Sequence, residues 1–222
     1  MRIDFVIISI VYGIIMFLLV PKYTKCKYDH TPRNKKLVWK GFCIGPVFCV
    51  LAVGIVASII NNSCSLVLIL LGIGMFLCAL GDIALEIRFS QGGILFGIGH
   101  LFYISSMVRM SEKKITLITI VIYVLFVSIG TWLTITKLGA KYRWFLLFYN
   151  LIISGSFAIG ASLVAYGSAD EKVCGGGVVL LAVSDWLLAR NKVFKSYFKW
   201  SMIAIVPYFA GQMMVALYPF LL

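Results

Sequence analysis

The chain is short of charge. Asp, Glu, Lys and Arg make up 13% of its 222 residues, against about a quarter in an ordinary globular domain. That share is too small to cover a water-facing surface, and 62% of the residues are hydrophobic. Acids are scarcest: Asp4, Asp29, Asp82, Glu86, Glu112, Asp170, Glu171 and Asp185 are all of them. There are two histidines, His30 and His100, which excludes a multi-histidine zinc site. The six cysteines contain no C-x-x-C, and Cys43, Cys49, Cys78 and Cys174 fall within or at the ends of apolar runs. They read as small buried residues rather than ligands or redox pairs. No G-x-S-x-G, P-loop or H-E-x-x-H sequence occurs, which removes common signatures of soluble hydrolases, nucleotide enzymes and zinc proteases. No metal and no cofactor is expected.

What the chain has instead is apolar runs of about 20 residues, the length that crosses a bilayer. The pattern predicts an all-α polytopic membrane protein, a single membrane-embedded domain over residues 1–222. About eight transmembrane helices are expected, near Phe5–Val20, Gly41–Ile60, Leu66–Leu85, Gly93–Val108, Ile115–Ile135, Trp144–Tyr166, Gly176–Ala189 and Ser201–Leu221. The run Phe5–Val20 lacks a small-x-small cleavage site and is followed by Pro21-Lys22, so it reads as a retained span rather than a signal peptide.

The net charge is +12, but nearly all of the Lys and Arg lie in the gaps between runs. The charge therefore points to topology and to anionic membrane lipids, not to nucleic acid. Gaps after the first, third, fifth and seventh spans hold fifteen basic residues, and the other side holds five. The positive-inside bias places the odd loops in the cytoplasm and both termini outside or in a lumen.

The halves resemble each other. GIGMFLCALGDIAL in the third span and GGGVVLLAVSDWLLA in the seventh each end on an aspartate preceded by a small residue. Each following span carries a tyrosine, Tyr103 and Tyr208. A 4+4 parallel repeat would put both aspartates at one membrane depth. Gly93 with Gly97, and Ser156 with Gly160, are small-xxx-small pairs that let helices approach closely.

Asp82 and Asp185 stand out because apolar residues flank each of them. An ionisable side chain costs about 2.5–3.5 kcal/mol at the centre of a span and less near its end, so function is the first reading. The structural alternative is a salt bridge, with Arg88 near Asp82 and Arg190 five residues after Asp185. Glu86 lies one turn after Asp82 on the same helical face. His100 shares a face with Gly93, Phe96, Gly97 and Tyr103, where packing is the alternative to a site role. Tyr208 and Gln212 are one turn apart, and Tyr149 and Asn150 lie within the sixth span. Each could be interhelical glue. Together with the aspartates and His100 they suggest one polar cavity open to the cytoplasmic side. A serine nucleophile stays open, since Ser184 precedes Asp185 and Ser90 follows the third span, with no histidine partner visible in the sequence.

The segment GDIALEIRFSQGGILFGIGHLFYI resembles the YhhN-type lysoplasmalogenase family, which has a Gly-Asp at a span end and then a His-x-x-Tyr helix. Here these are Gly81, Asp82, Phe96, Gly97, His100 and Tyr103. VVLLAVSDWLLARNKVF resembles its second signature, with Ser184, Asp185, Ala189 and Asn191, and YFAGQ its closing Tyr-x-x-x-Gln, Tyr208 and Gln212. Where the family has a Lys-Pro pair opening the second span, Lys40 and Pro46 are separated here.

The resemblance implies hydrolysis of the vinyl ether bond of lysoplasmalogens to a fatty aldehyde and glycerophosphoethanolamine or glycerophosphocholine. It nominates Asp82 and Asp185 as catalytic. His100, Tyr103, Tyr149, Tyr208 and Gln212 are expected against the lysophospholipid, with Arg190, Lys40 and Arg88 as phosphate contacts. The family expectation for location is the endoplasmic reticulum in a eukaryote and the inner membrane in a bacterium. Buried carboxylates in a repeat would also suit a proton-coupled transporter. An intramembrane aspartyl protease shares the Gly-Asp, but here Ser184 rather than a tyrosine precedes the second aspartate.

Overall fold

A bilayer offers no water to backbone N–H and C=O groups, so apolar runs of this length satisfy them internally as helices. The computed structural model, described at residues 3–28, 32–62, 64–111, 116–137, 140–194 and 198–222, is helical throughout. Its elements are α1 (Ile3–Tyr28), α2 (Arg33–Ile60), α3 (Leu66–Leu85), α4 (Phe89–Ser111), α5 (Leu117–Lys137), α6 (Ala140–Tyr166), α7 (Ala169–Phe194) and α8 (Phe198–Leu217), closed by a 3-10 turn at Tyr218–Phe220. No strand occurs among the described residues. Among the described residues, seven helices are long and apolar enough to cross a membrane, and α5 carries a shorter apolar stretch, Leu117–Trp132. Asp29, His30, Glu112 and Ile115, named above, lie outside the described set, as do the side chains of Asp4, Phe5 and Asn191.

Several helices outrun the apolar runs that predict them, α1, α2 and α7 the furthest. The first does not stop at Val20 but passes through Pro21 to Tyr28, and α2 starts at Arg33 rather than Gly41. Lys22, Lys25 and Lys35 stay exposed on these extensions, since a long basic stem can follow the helix while its charge reaches water; Lys40 is instead buried. α7 spans 26 residues instead of the expected Gly176–Ala189. The Ser168 N–H donates to Glu171 Oε2 at 2.6 Å, half of a capping box, and Asp170 adds negative charge at the positive helix end. Proline is interior to α1, α2 and α8, as Pro21, Pro46 and Pro207.

The outside is apolar and the inside holds the polar groups. Phe17, Ile60, Leu117 and Trp144 are 80%, 72%, 76% and 71% exposed, whereas Lys40, Asp82, His100, Asp185 and Gln212 are buried. In water such a surface would aggregate; in lipid it is the matching solvent contact.

Six helices close a ring in the order α2, α3, α4, α6, α7, α8, each touching the next and α8 touching α2. The first helix packs outside on α2 and α8, and α5 packs outside on α6. Exchanging the first four helices for the last four reproduces the ring: α3–α4 maps to α7–α8, α2–α3 to α6–α7, and α2–α8 to α6–α4. The closest crossings obey the same exchange. A Cβ at Gly74 would lie 3.0 Å from the Gly99 carbonyl oxygen, and one at Gly177 would lie 2.8 Å from that of Gly211. Gly74 and Gly177 each stand eight residues before their aspartate.

The crossings correct one detail of the repeat. Matching Gly99 with Gly211 sets Tyr208 against Phe96, and Gln212 against His100. The two tyrosines of the expected match are therefore not equivalent. Tyr103 packs where a Gly74 side chain would be, with its ring 2.8 Å from that Cβ position.

Candidate active site

The two aspartates enter the interior from repeat-related helices. Asp82 is in the last turn of α3 and Asp185 lies well inside α7. Both are nearly inaccessible, 4% and 2% exposed, and both line a single cavity of about 430 Å³ empty volume. Its polar lining adds Tyr23, Lys40, Ser184 and Tyr208, and its apolar walls include Phe96, Leu188 and Phe209. A smaller space of about 240 Å³ also reaches Asp185, with Phe145 and Tyr149 in its lining.

Each carboxylate is held by one residue from the preceding helix of the ring and one from the last helix of the other half. For Asp82 these are Lys40 on α2 and Tyr208 on α8. Lys40 Nζ stands 3.1 Å from Asp82 Oδ1 and donates to the Asp82 carbonyl oxygen at 2.6 Å. The Tyr208 hydroxyl donates to Asp82 Oδ2 and accepts from Gln212 Nε2. For Asp185 the holders are Tyr149 on α6 and His100 on α4. The Tyr149 hydroxyl donates to Asp185 Oδ2 at 2.9 Å, and His100 Nε2 shares a hydrogen bond with the same oxygen at 2.9 Å. The scaffold is repeated, but the partners are not: a lysine serves one aspartate and a histidine the other.

Around Asp82 the charges form a small cluster. Glu86 Oε1 lies 3.5 Å from Lys40 Nζ and accepts from the Tyr23 hydroxyl at 3.0 Å. One ammonium thus sits between two carboxylates, a paired arrangement that a buried charge needs. The salt bridge foreseen for Asp82 through Arg88 is made here by Lys40.

Around Asp185 a chain of three groups runs inward. His100 Nδ1 is 3.0 Å from Ser156 Oγ on α6, and the same Oγ donates to the His100 carbonyl oxygen at 3.4 Å. Ser156, His100 and Asp185 therefore line up as a serine hydrolase triad does. The open end is reversed, however. Ser156 is fully buried and absent from the cavity lining, whereas Asp185 faces the cavity. The group offered to a substrate is the carboxylate. Ser184, the serine left open by the sequence, donates to the Ala204 carbonyl at 2.7 Å across α7 and α8.

Seven of the ten residues expected at the site from the sequence thus meet in two clusters on one cavity: Lys40, Asp82, Tyr208 and Gln212, and His100, Tyr149 and Asp185. Tyr103 touches the second edge-on through His100, with ring centroids 5.6 Å apart, and Arg190 follows Asp185 on α7, half-buried. Asn150 does not join them. Its Nδ2 donates to the Val127 carbonyl at 3.1 Å, facing α5. The sequence reading missed Tyr23 and the Ser156–His100 contact. Ser156 carried a signal as the small member of a Ser-xxx-Gly pair; Tyr23 carried none. Among the described residues, no three His, Cys, Asp or Glu side chains group to hold a metal ion.

An eight-helix membrane protein with two interior carboxylates in one cavity defines the class. The chain belongs to the YhhN family, whose model matches residues 37–218. Comparison with curated proteins and with solved structures gives no match. The matched stretch contains Lys40, both aspartates, His100 and Tyr208, and it begins after α1. Family membership supports a membrane enzyme.

Proposed function

We propose that this protein is a lysoplasmalogenase, which hydrolyses the vinyl ether bond of a lysoplasmalogen to a fatty aldehyde and glycerophosphoethanolamine or glycerophosphocholine. The observation that carries the reading is that Asp82 and Asp185 line one buried, mostly apolar cavity in a chain of this family.

The chemistry needs two carboxyl groups in different states. A vinyl ether is cleaved by protonating the carbon β to oxygen, which leaves an oxocarbenium ion. Water adds to the cation to give a hemiacetal, and the hemiacetal collapses to aldehyde and alcohol. An acid must deliver the first proton, an anion must stand beside the cation, and a base must take a proton from water. Asp82, in an ion pair with Lys40, is the anion. Asp185, hydrogen-bonded to His100, is the acid, and the Tyr149 hydroxyl orients it. The same division of labour between paired carboxyl groups serves glycoside hydrolysis, whose transition state is also oxocarbenium-like. After the first step Asp185 is the base that recovers its proton from the attacking water.

The positive-inside bias sets the headgroup at the cytoplasmic ends of α3 and α7, near Arg88 and Arg190. Aldehyde release by purified protein from lysoplasmenylethanolamine, with the matched ester lysophospholipid as control, tests the reading. Aldehyde from the vinyl ether, lost in Asp82→Asn and in Asp185→Asn, supports it. No aldehyde from folded protein overturns it.

A further inference from the structure

We propose that the groove between α1 and α8 is the binding site for the substrate's hydrocarbon chain, and that Gly13 sets the chain length accepted there. The inference rests on the hydrolase reading above.

The groove is large, about 1200 Å³ of empty space open along one side. Tyr12, Gly13, Met16 and Phe17 of α1 line it, facing Phe209 and Met213 of α8. In a bilayer any lipid-facing groove fills with chains, so size alone does not select this one. Continuity does. Phe209 lines both this groove and the carboxylate cavity. On α8, Val206 of the groove alternates with Ile205 and Tyr208 of the cavity, and on α1 the groove ends at Pro21, two residues before the cavity's Tyr23. From Phe209 the groove continues along α8 to Leu217, about 12 Å at the helical rise. A vinyl ether held at the carboxylates would therefore send its chain along the groove, away from the polar mouth marked by Lys40 and Glu86.

The repeat supplies an internal control. The related groove, between α4, α5 and α6, holds about 810 Å³ and is equally apolar. None of its lining residues lines the carboxylate cavity. The asymmetry in groove access therefore accompanies the asymmetry in carboxylate partners. Gly13 is the place to probe, because a Cβ there meets nothing within 4 Å. The helix tolerates a larger residue at this position, and its side chain would occupy the path of the chain. The Tyr12 hydroxyl fixes the wall by donating to the Phe209 carbonyl oxygen at 3.0 Å.

The test compares full-length wild type with Gly13→Phe and, in the unconnected groove, Gly155→Phe. Aldehyde release is measured on lysoplasmenylethanolamines carrying hexadecenyl or octenyl chains. In Gly13→Phe, kcat/KM for the long chain falls about tenfold, the loss of a few buried methylenes, while the short chain is unaffected. The Gly155→Phe protein treats both chains as wild type does. Equal effects on both chains in Gly13→Phe, or no effect, overturn the groove and leave the hydrolase reading standing. Wild-type protein silent toward both chains overturns that reading and this inference together. A readout independent of turnover uses a saturated ether lysolipid with a diazirine at its chain end. Crosslinks to α1 and α8, displaced by lysoplasmalogen but not by diacyl phospholipid, support the groove; crosslinks confined to α4, α5 and α6 overturn it.

Discussion

One ammonium fixes two parts of Asp82. Lys40 Nζ lies 3.1 Å from the Asp82 carboxylate and 2.6 Å from its backbone carbonyl. The carbonyl belongs to the last turn of α3, where no further helical N–H follows to bond it. Lys40 thus ends the helix and balances the charge with one group. Removing it leaves a buried carboxylate without its counter-charge, a loss on the order of 3–5 kcal/mol. Lys40→Met should lower the unfolding midpoint in detergent accordingly, and Lys40→Met combined with Asp82→Asn should recover much of it. Additive losses in that double-mutant cycle would sink the coupling.

The unequal partners of the aspartates predict unequal phenotypes. With Asp185 as acid, Asp185→Asn removes the first proton transfer, and turnover should fall by about 10²–10⁴. With Asp82 as anion, Asp82→Asn should in addition weaken a cationic lysolipid amine that mimics the oxocarbenium ion, whereas Asp185→Asn should bind that amine as wild type does. Competition against substrate in wild type, and calorimetric titration in the variants, would measure this. Equal weakening by both variants would reverse or abolish the assignment.

Much of this was legible in the sequence, and the residues show why. Asp82, Asp185 and His100 were conspicuous because polar groups are costly within apolar runs. Their pairing was not legible: Tyr208 reaches Asp82 across 126 positions, and His100 reaches Asp185 across 85. No local periodicity encodes which faces of α3, α8, α4 and α7 meet. From the sequence Lys40 is a phosphate contact or a topology charge, because the apolar run begins after it, yet α2 extends back to Arg33 and carries it inside against Asp82. The expected tyrosine match failed for a related reason. Backbone approach at Gly99 and Gly211 sets the register of the repeat, and residue type does not.

The Ser156–His100–Asp185 alignment invites a serine-nucleophile mechanism, and one substitution separates it from the carboxyl mechanism. Ser156 Oγ is buried behind His100, at 3.0 Å from Nδ1. If it merely orients the ring, Ser156→Ala costs one hydrogen bond, about 0.5–1.5 kcal/mol, and activity stays within about tenfold of wild type. His100→Ala, which removes a direct partner of Asp185, should cost far more. Loss of all activity in Ser156→Ala, with covalent trapping of an intermediate on that serine, would move the chemistry to the other end of the chain.

The glycine crossings connect packing to the site. A Cβ at Gly177 would lie 2.8 Å from the Gly211 carbonyl oxygen and 2.9 Å from Val215 Cγ2. The first of these neighbours is backbone, so α7 and α8 must separate to admit a methyl group. Overpacking of that kind costs about 1–3 kcal/mol. Because α8 also carries Tyr208, the separation should draw its hydroxyl away from Asp82, and activity should fall with stability. Gly41→Ala is the matched control, since a Cβ there meets nothing within 4 Å. Alanine at such an open helical position should be neutral or stabilising by about 0.5–1 kcal/mol. Thermal unfolding and aldehyde release measured together on Gly177→Ala and Gly41→Ala would separate the two cases. A Gly177→Ala protein as stable and as active as wild type would mean that the α7–α8 crossing is looser than this geometry and does not hold Tyr208 in place.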